Sequence, residues 1–120
     1  MTYNPVVVDQ PAAPAADRLF AALADATRRD IVTRVLAAPA SVSELARAYP
    51  MSFAAVQKHV AVLERAGLVS KERRGREQLV HGEVGTVRSA ARLLGELEQV
   101  WRGRIRRIED LLAEDPGGTA

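Results

Sequence analysis

The sequence contains no cysteine among its 120 residues. That absence excludes disulfide bonds and metal sites built on thiolates, and it gives no indication of an oxidising compartment. Aromatic residues make up only 4% of the chain, although 48% of it is hydrophobic. We therefore expect one compact domain with a core of aliphatic side chains and alanine, which is typical of a helical protein.

Long apolar runs are also missing from the sequence. No segment reaches the roughly 18 consecutive apolar residues of a membrane span, and the N-terminus lacks the basic start and apolar stretch of a secretory signal. We therefore expect a cytoplasmic protein. The formal net charge is only +2. The positive excess lies in the middle, since Gly67 to Gly82 holds four basic and two acidic residues, which weakly favours an anionic partner.

Motifs of catalysis are the third absence. The sequence has no glycine-rich phosphate loop, no nucleophile with a plausible base and no clustered carboxylates. Its two histidines, His59 and His81, make a poor metal site, because a structural site typically needs four ligands. We therefore predict that the protein is not an enzyme and that it has no metal and no cofactor.

The most informative stretch runs from Ser52 to Gly67 and reads SFAAVQKHVAVLERAG. Ser52 is a favoured N-cap residue and Gly67 a favoured residue just past a helix end. Between them, Val56, Val60 and Leu63 recur at spacings of four and three, which places them on one face of a helix. The pattern predicts an amphipathic helix over residues 52–66.

The opposite face of this helix is unusual near its start. It carries Ala54, Gln57 and Lys58, and no acid. Small side chains permit a close approach to a surface, an amide can donate to and accept from a base edge, and an ammonium suits a phosphate. We predict that this helix lies in the major groove of DNA. The alternative is an ordinary amphipathic helix whose polar face is solvated.

Two further helices are predicted near the start of the chain. Asp17 can cap the first, over residues 17–24, and Thr27 can cap the second, which Pro39 ends. The prolines at positions 5, 11 and 14 oppose regular structure, so residues 1–16 are predicted to be a flexible arm.

A third short helix is predicted immediately before the helix of residues 52–66. Ser41 and Glu44 have the spacing of a capping box, and the helix should cover roughly residues 43–49, before Pro50. Two short helices joined by a tight turn form a helix-turn-helix.

A β-hairpin is predicted after Gly67, with strands over residues 68–73 and 77–81. Its tip is basic and comprises Arg73, Arg74, Gly75 and Arg76. A basic hairpin directly after a helix-turn-helix is a wing whose arginines can reach phosphates or a minor groove. The alternative is a tip that is charged only because it faces water.

One long helix is predicted over residues 85–113, and the alternative is a bend or break at Gly95 or Gly103, since glycine costs about 1 kcal/mol relative to alanine within a helix. Its apolar stripe comprises Val87, Ala91, Leu94, Leu97, Trp101, Ile105, Ile108 and Leu112. The other helices are too short to cover it, so the stripe needs a partner from outside the chain, most simply the same helix of a second copy. The alternative partner is a helix of another protein, in a winged-helix interaction module. Trp101 is interpreted as dimer core, or alternatively as the wall of an inducer pocket.

The fold class that follows is mainly α with a small β-hairpin wing. The predicted order is four helices, two strands and a final helix in a winged helix-turn-helix domain over residues 17–113, with a flexible tail over 114–120.

Three stretches together resemble the ArsR-type winged-helix repressors: ALADATRRDIV (22–32), SVSELA (41–46) and MSFAAVQKHVAVLERAGLVSKERRGREQ (51–78). The resemblance implies a homodimeric transcriptional regulator, usually an autorepressor, that binds a palindromic operator and leaves it on a signal. It also implies that the first and last helices form the dimer interface. The candidate interface residues are Leu19, Phe20, Leu23, Val87, Ala91, Leu94, Leu97, Trp101, Ile105 and Ile108.

The sequence departs from that family where many members bind metals. The helix over residues 43–49 holds no thiol, and no histidine lies between Glu83 and Ala120, so neither metal site of the family can be carried over. The resemblance therefore implies a member without the known metal ligands, with an unknown small-molecule inducer left open.

The candidate DNA-binding residues are Arg47, Ser52, Ala54, Ala55, Gln57, Lys58, His59, Arg73, Arg74 and Arg76. Two alternatives stay open for His59, which could donate to a phosphate or to a backbone carbonyl of its own domain. Arg28 and Arg29 begin a helix, where cations oppose the helix dipole, and so need a partner: an acid, a phosphate or the dimer mate. His81 is interpreted as structural.

Overall fold

A computed structural model describes residues 12–114 of the chain. The elements in chain order are α1 (Ala12–Leu23), α2 (Ala26–Ala37), β1 (Ala40–Ser41), α3 (Val42–Arg47), α4 (Phe53–Arg65), β2 (Val69–Arg74), β3 (Glu77–Gly82) and α5 (Val84–Glu114). The predicted fold class, mainly α with a small hairpin, is confirmed. The chain divides into two compact units, the first ending at Arg88 and the second beginning at Ser89.

The predicted element order lacks one strand. β1 pairs antiparallel with β3, with Ala40 opposite Val80 and Ser41 opposite Leu79, so the sheet has the order β1-β3-β2. Two residues cannot show an alternating pattern, and the partner that makes them a strand lies about forty positions away. The sequence therefore gave no local sign of β1.

The first helix begins earlier than predicted. α1 starts at Ala12 and Asp17 lies inside it, so the prediction that Asp17 caps this helix was wrong. Pro14 falls in the first turn, where the missing N–H costs nothing because those N–H groups have no partner within the helix. Residues 12–16 of the predicted arm are therefore helical, whereas residues 1–11 and 115–120 lie outside the described part.

The N-cap of α2 is Asp25, not the predicted Thr27. The backbone of Asp25 is extended, and its carboxylate accepts from the N–H of Arg28 at 2.9 Å. That bond, helped by the nearby charge of Arg28, lowers the pKa of Asp25. Both residue types are good caps, so the sequence alone could not choose between positions two apart.

The other predicted caps are confirmed. Ser41 and Glu44 form a capping box, in which the hydroxyl accepts from the N–H of Glu44 at 3.1 Å and the carboxylate accepts from the N–H of Ser41 at 2.8 Å. The Ser52 hydroxyl accepts from the N–H of Ala55 at 3.1 Å and so starts α4. Gly67 follows α4 with φ +78°, a conformation that glycine adopts without strain.

The core of the first unit is aliphatic, as composition suggested. Val56, Val60 and Leu63 are at most 1% exposed, which confirms the inward face of α4. They are buried together with Ile31, Val35, Leu45, Leu68 and Val80. Burying one such side chain stabilises a fold by about 1.5–3 kcal/mol, so this face fixes which side of α4 remains in solvent.

The last helix is continuous, as predicted. α5 has 31 residues, and at 1.5 Å per residue it extends about 46 Å. Gly95 and Gly103 lie within it without ending it. Within residues 12–114, no helix is both long and apolar enough to cross a bilayer.

Candidate nucleic-acid interface

The outer face of α4 presents groups that nothing else in the first unit engages. Gln57 and Lys58 are exposed, as are Ser52 and Ala54, whereas Ala55 is half-buried. Neither the amide of Gln57 nor the ammonium of Lys58 makes a hydrogen bond or ion pair with any of residues 12–114. One hydrogen-bonding group and one cation are therefore available at this surface.

Acidic residues are absent from most of α4. The first acid after Phe53 is Glu64, and its carboxylate is already paired with Lys71, whose Nζ lies 3.3 Å away. An unpaired carboxylate would repel a phosphate backbone. The first ten residues of α4 therefore carry no negative charge that would repel a polyanion.

His59 lies at the flank of α4 and contacts the start of α2. Its Nδ1 is 3.3 Å from Nη1 of Arg28 and 3.9 Å from Oδ2 of Asp25. A guanidinium only donates, so Nδ1 accepts from Arg28 in the tautomer whose hydrogen lies on Nε2. The partners of Nδ1 are therefore side chains rather than the backbone carbonyl that was one of the two predicted partners, and the phosphate stays a prediction.

The side chains of Arg28 and Arg29 both donate to carbonyl oxygens at the end of α1. Arg28 donates from Nε to Ala22 at 2.7 Å and from Nη2 to Ala21 at 3.2 Å. Arg29 donates to the carbonyl of Leu23 at 2.8 Å. The last carbonyls of a helix have no partner within it, so these cations complete the C-terminus of α1. A backbone carbonyl was not one of the partners predicted from sequence, which were an acid, a phosphate or the dimer mate.

A polar network joins α2 to the turn before α4. The Tyr49 hydroxyl donates to Oδ2 of Asp30 at 2.5 Å, and Nε of Arg34 donates to the same oxygen at 2.8 Å. The Arg34 guanidinium also lies 5.4 Å from the centre of the Tyr49 ring. These bonds lower the pKa of Asp30, whereas burial and the neighbouring Asp30 raise the pKa of Tyr49 to about 12.

Arg47 lies at the C-terminal end of α3, the first helix of the helix-turn-helix, and is exposed. Its charge contributes to the lowered pKa of Glu44, of which the larger cause is the N–H of Ser41. The guanidinium makes no hydrogen bond with another described residue. Arg47 therefore remains accessible to an external anion.

The wing has a two-residue turn, Gly75-Arg76, between Arg74 and Glu77. Gly75 has φ +65°, as the first central residue of a type II′ turn requires. The strands over 69–74 and 77–82 confirm the predicted hairpin.

The three arginines at the tip differ in their partners. Arg73 donates to the carbonyl of Gly75 at 3.0 Å, and Arg74 lies 3.3 Å from the carboxylate of Glu72. Arg76 has no hydrogen bond or ion pair within the described residues. His81 lies 2.8 Å from Glu72 on the neighbouring strand, which agrees with its interpretation as structural.

Phe53 is an exposed residue of the site that no sequence pattern indicated. It is the first residue of α4 and is 47% exposed. A phenylalanine is ordinarily assigned to a core, and no spacing rule distinguishes an exposed one. Its position directly after the cap Ser52 was the only available signal.

The candidate dimer residues differ in how much surface they offer. Ala91, Leu94, Leu97, Trp101 and Ile108 are exposed, and Phe20, Leu23, Val87 and Ile105 are half-buried. Leu19 is only 7% exposed in the single chain and so has little surface left for a partner.

Val100 and Leu111 of α5 are exposed as well. They were missed because they lie beside the predicted stripe.

Within residues 12–114, no three His, Asp or Glu side chains lie close enough together to hold a metal ion.

Known proteins resemble this chain in sequence and in fold. A family model described as a helix-turn-helix domain matches residues 23–72. An ArsR-like transcriptional regulator from a Rhodococcus species is 33% identical, with a TM-score of 0.72 over 82% of this chain and 92% of that one. The chain belongs to the ArsR family.

Two further relatives of this ArsR-family chain are informative. The HTH-type transcriptional regulator Rv2034 of Mycobacterium tuberculosis is 53% identical over 53 residues, which are 44% of this chain and 50% of that protein. The ArsR-family chain thus matches about half the length of this curated relative. The winged helix-turn-helix domain Mb0332 of Mycobacterium bovis, described as a homodimeric DNA-binding domain, is 20% identical, with a TM-score of 0.60 over 82% of this chain and 88% of that one. At that identity it shows the shared fold alone.

Proposed function

We propose that this ArsR-family protein is a homodimeric, sequence-specific DNA-binding transcriptional regulator that represses genes by occupying a palindromic operator. Residues 52–66 enter the major groove, and the wing over residues 73–76 contacts the backbone or the minor groove beside it. The helix-turn-helix model that matches residues 23–72 supports this assignment.

The observation that carries the proposal is the outer face of α4. Gln57 and Lys58 are exposed and unengaged on a helix with no acid before Glu64. Glutamine can form two hydrogen bonds with the major-groove edge of adenine, and lysine neutralises a phosphate. An ordinary solvated helix face has no reason to omit carboxylates, since charges of both signs keep a surface soluble.

His59 supports this role through its tautomer. In the tautomer in which Nδ1 accepts from Arg28 at 3.3 Å, Nε2–H is the remaining donor of the ring. A neutral N–H can bond a phosphate oxygen and position the helix without reading a base. We therefore keep His59 as a positioning residue.

Self-association is supported by the apolar surface of α5. Leu94, Leu97 and Trp101 are each more than half exposed on one stripe. A surface of this kind ordinarily marks an interface, and twofold symmetry is the commonest way for a chain to cover its own stripe. A twofold dimer presents two copies of α4, which is why the operator is proposed to be palindromic.

The proposal is tested by binding to the DNA upstream of the protein's own gene. We expect fluorescence anisotropy to show tighter binding to that duplex than to random duplex, with affinity falling steeply as salt rises. Light scattering should give twice the mass of the 13.0 kDa chain. Equal affinity for both duplexes would contradict the proposal. A monomer that binds no DNA would favour the alternative, a winged-helix protein-interaction module.

A further inference from the structure

Phe53, the first residue of α4, exposes an aromatic side chain to solvent. Outside α5, the large apolar residues exposed among those described are Leu36 and Phe53. The other described aromatic residues of the first unit, Phe20 and Tyr49, are half-buried. The exposed apolar stripe of α5 is assigned to a second copy, and Phe53 is not part of it. About half of the residue is therefore left open to an external contact that is not part of the proposed dimer.

Phe53 lies beside Gln57 and Lys58 on the outer face of α4, which is proposed to contact DNA. Phe53 and Gln57 are four residues apart, so they are neighbours on the helix surface with their Cβ atoms about 6 Å apart. Ala54 and Lys58 form the adjacent row, and no acid intervenes. Successive base pairs are about 3.4 Å apart along a strand, so the two side chains would meet base pairs about two steps apart.

The floor of the major groove offers one apolar group to such a ring. Base edges there carry hydrogen-bond donors and acceptors, and the C5-methyl group of thymine is the exception. A phenyl ring cannot form hydrogen bonds, so it would leave the polar edges of the other bases unpaired. An exposed ring beside the amide of Gln57 therefore favours a site with two A·T pairs. The amide would hydrogen-bond the adenine of one pair, and the ring would contact the thymine methyl group of the other.

We infer that Phe53 is a specificity-determining residue that contacts a thymine C5-methyl group about two base pairs from an adenine read by Gln57. The inference rests on the proposed function, since it places α4 in the major groove. It adds a base preference, set by an apolar contact that the polar residues of α4 do not provide.

The test removes the methyl group without changing any hydrogen bond. The wild-type protein is used to select a 30-bp duplex from a random library. Each thymine of this selected duplex is then replaced in turn by uracil, which lacks only the C5-methyl group. Anisotropy is measured for the wild type, for Phe53→Ala and for Val84→Ala. Val84 is a matched control, because it is also the first residue of a helix and is 49% exposed.

We expect one thymine per half-site at which uracil weakens binding of the wild type and of Val84→Ala about fourfold, the equivalent of about 0.8 kcal/mol for one buried methyl group. The Phe53→Ala variant should lose this sensitivity, with less than a twofold change. Replacing the adenine about two base pairs away by 7-deazaadenine, which removes the N7 acceptor, should still weaken binding of Phe53→Ala but not of Gln57→Ala.

Two results would overturn the inference while leaving the proposed function intact. The first is a selected duplex at which no thymine-to-uracil replacement affects the wild type. The second is a Phe53→Ala variant, folded by circular dichroism, that keeps the full sensitivity to uracil. A variant whose affinity falls by the same factor for every duplex would count in the same way, since a purely structural role predicts it. Failure to enrich any sequence from the library would overturn the proposed function and the inference together.

Discussion

The guanidinium of Arg28 joins three elements through one side chain. Its Nη1 lies 3.3 Å from Nδ1 of His59 on α4, while Nε and Nη2 bond the last carbonyls of α1. Since Arg28 is itself on α2, it fixes the end of α1 and the flank of α4 relative to the start of its own helix. The proposed reading helix is thus oriented partly by a residue that makes no contact with its outer face.

We expect Arg28→Ala to lower the free energy of unfolding by about 1–2 kcal/mol, because charged hydrogen bonds to two carbonyls are lost. Urea denaturation measures the change. Arg29→Ala is the matched control: Arg29 is exposed and makes one bond, to Leu23, so its loss should stay within about 0.5 kcal/mol. Equal losses in the two variants would contradict this account of Arg28.

Tyr49 should titrate late. Its pKa is raised to about 12 by burial and by the carboxylate of Asp30, against about 10 in an unfolded chain. The raised pKa means that the stability contributed by the neutral phenol is complete below pH 10 and is lost as the pH rises towards 12. The ultraviolet absorbance of the phenolate measures this, and Tyr49→Phe leaves Tyr3 as the only tyrosine. The wild type would contradict this account if it formed a second phenolate near pH 10 that Tyr49→Phe does not form. The protein must still be folded at that pH, as judged by circular dichroism.

Ser52→Ala should cost about 1 kcal/mol of stability, because the N–H of Ala55 loses the capping hydroxyl. Ser43→Ala is the control, since the Ser43 hydroxyl is exposed and has no hydrogen bond within the described residues. Thermal unfolding followed by circular dichroism compares the two. A Ser43→Ala loss as large as that of Ser52→Ala would remove the distinction between a capping serine and an ordinary one.

The tip arginines should contribute unequally to DNA binding. Arg76 is unengaged within residues 12–114, whereas Nη2 of Arg74 lies 3.3 Å from the carboxylate of Glu72, which offsets part of its charge. We expect Arg76→Ala to reduce the slope of log affinity against log salt by about 1 per protomer, equally for every sequence, and Arg74→Ala to reduce it by less than half as much. Salt titrations of the selected duplex measure both slopes. The opposite ranking would show that the wing contacts DNA differently.

The sequence predicted well those features that depend on neighbouring residues. Ser41 with Glu44, Ser52 and Gly67 act within a few positions of themselves, and all appear as predicted. The inward face of α4 was also predictable, because its period is a property of one helix. The family resemblance rested on such local patterns, which is why it was confirmed.

Features that depend on distant partners could not be predicted in the same way. β1 exists because Ala40 pairs with Val80, and Arg28 bonds carbonyls that carry no side-chain signal. Phe53 was missed for a different reason: composition assigns a phenylalanine to the core, and only its measured exposure shows otherwise. The free groups of the candidate site, by contrast, were identified from sequence because an acid-free outer face is visible in the residues themselves.

The most direct measurement compares Gln57→Ala with Lys58→Ala on the selected duplex and on a set of its single-base-pair variants. The account predicts that Gln57→Ala flattens the preference at one position of each half-site by about 1–3 kcal/mol. Lys58→Ala should weaken binding to every duplex by the same factor and leave the preferences unchanged. If both variants bind with the wild-type affinity and the wild-type preferences, α4 does not read DNA and the account is wrong.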